Sequence, residues 1–205
     1  MNFFNFTKDY SAEWYTHNRD GPLKIVVTLR VKNIDFKNWG TSGADGAWVG
    51  IGFGGRDMNK VDVVMCEFHF RGTTANDVFL CFDKYASGFG SPTTDTRQDV
   101  NDVATEKSYY ISNDQTTKTA TLTAVFDRLL DTKDTTQDYI LRDGDRVEAI
   151  WAYGPVEFNN PSSHGFNTAR RGSFQMQMYS IDGGFLSYTV SIVMLSFAIV
   201  GTYMF

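Results

Sequence analysis

Residues 23–31 (LKIVVTLRV) put Ile25, Val27, Leu29 and Val31 on one side of an extended chain, with Lys24, Thr28 and Arg30 mostly opposite. Residues 119–126 repeat this period of two: Ala120, Leu122, Ala124 and Phe126 face one way, Thr119, Thr121 and Thr123 the other. In residues 47–53 (AWVGIGF) glycine alternates with larger residues, as in a strand on which something packs closely from one face. Residues 61–70, 77–85, 147–153 and 173–179 read as further short strands, punctuated by turn signals such as RGTTAND and RDGD. No stretch before residue 185 carries a helical period. The pattern predicts an all-β fold: an antiparallel, immunoglobulin-like β-sandwich of eight or more strands, followed by a C-terminal transmembrane helix.

That last element rests on FLSYTVSIVMLSFAIVGTYMF, residues 185–205, which hold no charge and no proline. As a helix the run would span about 31 Å, close to the thickness of a bilayer's hydrocarbon core. The expected organisation is a sandwich over residues 1–180, a short linker over 181–184 and a membrane segment or anchor signal over 185–205. A retained span is preferred to exchange for a glycolipid anchor. The small residues at 180–184 abut the apolar run and leave no polar spacer. The first fifteen residues lack a basic start and a continuous apolar core, so either a leader precedes them or the anchor directs insertion. The sandwich is expected outside the cytoplasm, at the cell surface or in an organelle lumen. The alternative is the mitochondrial inner membrane, facing the intermembrane space.

Composition narrows the function. The 205 residues are 42% hydrophobic and 21% charged, as in a folded domain, with a net charge of −5 that argues against nucleic acid as a partner. Eighteen glycines, 17 phenylalanines and 10 tyrosines suit strands and tight turns. If residues 61–70 and 77–85 form a hairpin centred between Thr73 and Thr74, Cys66 falls opposite Cys81. A disulfide and two buried thiols then stand as equal alternatives. There is no CxxC and no cluster of histidines, so no metal site is expected from them.

Catalytic constellations are scarce. No GxSxG elbow and no phosphate-cradling glycine loop opens a helix, and the carboxylates are scattered along polar turns. An electron-transfer or accessory protein is therefore a better expectation than an enzyme with its own substrate. His17 reads as a surface residue and His69, between Phe68 and Phe70, as structural. Two residues stand apart. Met58 sits in the polar turn RDMNK after a glycine-rich strand end, and His164 lies in the loop NNPSSHGFNTARRG. A thioether and an imidazole on opposing loops suit a six-coordinate haem iron, although many Met/His pairs would satisfy that chemistry.

The order of further features is more specific. WVGIGF at 48–53, MNKVDVV at 58–64, DKYASGFGSPTTD at 83–95, FDRLLDTKD at 126–134 and WAYG at 151–154 together resemble the DOMON domain family over residues 10–180. The likeness is to its haem-binding branch, similar to the cytochrome domain of cellobiose dehydrogenase. That resemblance implies a non-covalent b-type haem with Met58 and His164 as axial ligands, and Arg170 and Arg171 as candidate partners of the propionates. It implies one-electron transfer with a membrane cytochrome, a flavoprotein, a quinone or a small reductant. Other members of the family bind no haem, so a haem-free scaffold within a larger membrane complex is the alternative. A carbohydrate- or catechol-binding module is a third, suggested only by aromatic content and the breadth of the family. Met65, inside the following strand, reads as core.

Overall fold

The computed structural model describes residues 1–18, 21–36, 38–40, 43–71, 76–103, 108–111, 119–165 and 169–179. These residues form thirteen strands: β1 (Asn2–Asn5), β2 (Tyr10–His17), β3 (Lys24–Asp35), β4 (Ala44–Phe53), β5 (Asn59–His69), β6 (Val78–Ser87), β7 (Thr93–Thr94), β8 (Val100–Asp102), β9 (Ser108–Ile111), β10 (Thr119–Leu129), β11 (Arg146–Glu157), β12 (Asn160–Pro161) and β13 (Arg171–Gln177). Every pairing is antiparallel. One sheet runs β1-β2-β3-β10-β8, with β9 also on β10. The other runs β12-β11-β4-β5-β6-β7, with β13 also on β11. The described residues contain no helix, and none long and apolar enough to cross a membrane. The proposed membrane segment, 185–205, lies outside them.

Apolar alternation places the core between the sheets. Ile25, Val27, Leu29 and Val31 of β3 and Ala120, Leu122, Ala124 and Phe126 of β10 are all buried there. Facing them are Val49, Ile51 and Phe53 of β4, Val64, Cys66 and Phe68 of β5, and Val147, Ala149 and Trp151 of β11. Full burial of each large aliphatic or aromatic side chain contributes roughly 1.5–3 kcal/mol before chain entropy is opposed. Two side-chain donors tie the layers together: the Tyr10 hydroxyl donates to the Gly50 carbonyl (2.9 Å) and Trp14 Nε1 to the Gln177 carbonyl (2.8 Å).

The register settles the cysteines. Cys66 of β5 stands directly opposite Cys81 of β6, both face the core, and they form a disulfide. Alignment across neighbouring strands brings the two side chains within reach of one another.

Segments outside the strands read from sequence are also built into the sheets. Tyr10–His17 is a strand whose inward residues are Tyr10, Ala12, Trp14 and Thr16. A threonine at the inner end blurred its apolar period; here its hydroxyl bonds to Asp143 Oδ1 (3.2 Å). His17, expected on the surface, is half-buried at the end of that strand. The polar connection after β6 is also built into the fold over its described part. β7 pairs with β6 in one sheet and β8 with β10 in the other. Gln98 anchors the crossing by donating to the Asp83 carbonyl (2.9 Å) and accepting from the Asp83 amide (3.0 Å).

Candidate functional site

A sheet face turned away from the sandwich core is usually polar. Part of the outer face of the β4-containing sheet is not. Trp48 of β4, Val61, Val63 and Met65 of β5, Ala86 of β6 and Val156 of β11 form a second buried apolar cluster, with Met58, Ile150 and Ala152 packed against it. Met65, read from sequence as core, is buried in this outer cluster rather than between the sheets. Glycines make the close packing possible. A Cβ at Gly52 would lie 2.6 Å from Val61 Cγ1, and one at Gly154 would lie 2.8 Å from Trp48 Nε1. The glycine alternation of β4 therefore marks the face on which large side chains lie against bare backbone.

Met58 reaches this cluster from the turn between β4 and β5. Gly54 opens the turn at φ +92°, where a Cβ would strike the Tyr139 ring, and Asp57 Oδ1 accepts from the Asn59 amide (2.9 Å). Arg56 clamps the turn to β11 through a two-pronged pair with Glu148, both bonds 2.8 Å. Glu148 also accepts from Gln175 (2.8 Å), and these donors hold its carboxyl well below the usual range. The polar neighbours of Met58 thus build and anchor the turn, while Met58 itself is half-buried on apolar side chains.

His164 approaches the same cluster from the loop after β12. Trp48 Nε1 donates to the Ser162 carbonyl (2.8 Å), and the Ser162 amide donates to the Pro155 carbonyl (2.9 Å). The His164 ring, half-buried, lies 6.2 Å from the Trp48 ring. Its Nδ1 is 2.6 Å from the Gly165 carbonyl. A carbonyl only accepts, so Nδ1 carries the proton and Nε2 of the neutral ring keeps its lone pair. Met58 and His164, distant in sequence, therefore border one apolar face through Trp48 and its neighbours. Arg171 pairs in register with Ala152 of that face, whereas Arg170 has its guanidinium over the Tyr153 ring (5.9 Å), a residue packed on the inner core. Further along β5, Glu67 takes Lys84 (2.8 Å) and His69 (3.3 Å), so His69 has a structural partner.

Sequence reasoning missed a second constellation, on the inner side of the sheet. Asp62, Asp83 and Asp138 gather around Arg128, which is fully buried. Arg128 Nη1 donates to Asp62 Oδ2, which also accepts from the Tyr139 amide (2.9 Å). Arg128 Nη2 lies 3.7 Å from Asp138. Burial, only partly offset by Arg128, pushes the Asp62 carboxyl up to about 6. Burial and the charges of Asp62 and Asp138 push Asp83 to about 7. Asp138 is raised too, first by burial. The signal was present in the strand phases. The inward series of β10 continues from Phe126 to Arg128, and that of β5 runs back from Val64 to Asp62.

Fold and faces together define an antiparallel β-sandwich module with a second buried apolar cluster on one outer sheet face. More specifically, the chain belongs to the DOMON family: the DOMON domain matches residues 19–154, more than half of its length. Among solved structures it resembles the cytochrome domain of Myriococcum thermophilum cellobiose dehydrogenase, with a TM-score of 0.50 and 14% identity over 88% of this chain and 79% of that one. It is also similar to the cytochrome b domain of pyranose dehydrogenase from Coprinopsis cinerea, with a TM-score of 0.48 and 11% identity over 82% of this chain and 76% of that one. At these identities the likeness speaks to the fold. No curated protein sequence matches the chain.

Proposed function

We propose that this chain is a b-type cytochrome domain that transfers single electrons, with Met58 and His164 as the axial ligands of a non-covalent haem. The supporting observation is their placement on one apolar face, with the His164 Nδ1 proton committed to the Gly165 carbonyl and Nε2 left with its lone pair. The donor set fits the group. A thioether and a neutral imidazole are both good ligands for haem iron, and the adjoining cluster is apolar, as a porphyrin requires.

When bound, haem supplies a one-electron couple at a potential that a methionine ligand raises relative to two histidines. The residues supply the rest. Gly165 orients His164, Arg56 and Glu148 hold the Met58 turn, and Trp48 lies beside His164. Arg171, in register with Ala152, and Arg170, over the Tyr153 ring, are the candidate propionate partners on this reading. The partner is a membrane cytochrome, flavoprotein, quinone or small reductant, reached from a domain held at a membrane by residues 185–205. The Cys66–Cys81 disulfide suits an oxidising, extracytoplasmic compartment.

One observation favours a second reading. Trp48 and Val63 are only 5% and 6% exposed, so the outer face is already closely packed, as a haem-free scaffold within a larger membrane complex would need. Visible spectra of the detergent-purified protein, before and after dithionite, separate the two. A sharp reduced α-band supports the cytochrome. A featureless spectrum that persists after haemin is added supports the scaffold.

A further inference from the structure

The carboxylates around Arg128 are under-served in a way that the fold alone does not require. Asp62 and Asp138 side chains are 1% exposed and Asp83 is fully buried. Asp62 spends Oδ2 on Arg128 and the Tyr139 amide, and Asp83 spends Oδ2 on the Asp99 amide (3.1 Å). Oδ1 of each has no hydrogen-bond partner, nor has Oδ2 of nearby Asp95. A buried carboxylate oxygen without a donor is costly, and two of them converging with a third carboxylate on one locus is costlier still. One guanidinium against three carboxylates leaves two negative charges uncompensated.

We propose that Asp62, Asp83 and Asp138 bind a calcium ion. One carboxylate oxygen from each lies within 4.8 Å of the others, and two oxygens on a single calcium are separated by at most about 5 Å. The donors are all hard oxygens, which select calcium over softer transition metals. A divalent charge neutralises the locus, and Arg128, already seated on Asp62 Oδ2, leaves Oδ1 for the ion. In the secreted or lumenal compartment that the disulfide suits, calcium is available. The site lies on the inner side of β5, across the sheet from Met58 and His164, and owes nothing to the haem reading.

The full chain, purified in detergent and stripped with a chelator, is titrated with calcium chloride at pH 7.5 while its melting temperature and heat of binding are recorded. One ion per chain is expected. At a hundred times the dissociation constant, the melting temperature should rise on the order of 5–10 °C. Asp83→Asn should weaken binding at least tenfold, yet in chelator melt at or above the parent, because it removes a repelling charge while keeping the shape. No calcium-dependent shift at millimolar calcium overturns the proposal. So does an Asp83→Asn variant that responds as the parent does. So does a parent whose stability falls equally between pH 5 and pH 8 with and without calcium, since a proton would then be what satisfies the cluster.

Discussion

The indole of Trp48 stands 6.2 Å from the imidazole of His164, ring centre to ring centre, with 59° between their planes. Trp48 belongs to a central strand and His164 to a loop, so the strand residue sets the position of the loop residue. The indole N–H also holds that loop through the Ser162 carbonyl. Trp48→Phe should cost about 1 kcal/mol for the lost hydrogen bond, and Trp48→Ala about 3–5 kcal/mol for the cavity. Gly154→Ala should cost about 1–3 kcal/mol, because its Cβ would displace the indole. Urea denaturation of the three variants checks the order, and an unchanged Gly154→Ala would contradict the close approach.

Met58 and His164 should respond differently to substitution if they ligate haem. Met58→His keeps two strong axial ligands and should retain a low-spin spectrum at a lower reduction potential. His164→Ala should lose that spectrum. Redox titration followed at the α-band reads both, and unchanged spectra in both variants would eliminate the pair.

The disulfide joins β5 and β6 across a sequence separation of 15. Its removal in Cys66→Ala/Cys81→Ala should cost about 3 kcal/mol, largely through the freer unfolded chain. Thermal melts of the double variant, set beside the parent with and without reductant, test this. A reduced parent as stable as the oxidised one would show that the bond adds nothing.

Stability should depend on pH through the inner carboxylates. Asp62 and Asp83 have folded values of about 6 and 7, above the ordinary aspartate value of 3.8. The folded state therefore binds more protons than the unfolded one between these limits. Without calcium, the contribution is full below about pH 4 and is lost as pH rises through 6–7. Melts in chelator from pH 4.5 to 8 should show this decline, and a rise over that range would refute it.

Arg128 is the sole guanidinium among the described residues that pairs with both Asp62 and Asp138. Arg128→Met leaves those carboxylates without their cation and should destabilise the fold by about 3–5 kcal/mol at pH 7.5. At pH 5, where Asp62 and Asp83 are protonated, the loss should be smaller. Equal losses at both values would mean that Arg128 acts by packing, through its contact with Phe53, rather than by charge.

Much of the sandwich was legible because a strand writes its two faces into its own sequence. Val27 and Leu29, or Leu122 and Ala124, are assigned to the core by a pleat that each segment makes by itself. Tyr10–His17 escaped because Thr16 faces inward and pairs with Asp143, a partner far along the chain. The carboxylate cluster escaped for a related reason. Asp62, Asp83 and Arg128 are far apart in sequence, and only the packing of β5, β6 and β10 brings them together.

By itself, the sequence determined what is local: strand phase, the glycine-lined side of β4, and an alignment in which Cys66 faces Cys81 once the hairpin register is assumed. The DOMON resemblance, rather than periodicity, singled out Met58 and His164. Tertiary structure decided which phase faces the core and which the outside, closed the disulfide, set Trp48 between the Met58 cluster and the His164 loop, and assembled buried acids around Arg128. The physical reason is range. Backbone pleat fixes side-chain direction within a few residues, whereas side chains from distant strands meet only when sheet register and sheet packing are both in place.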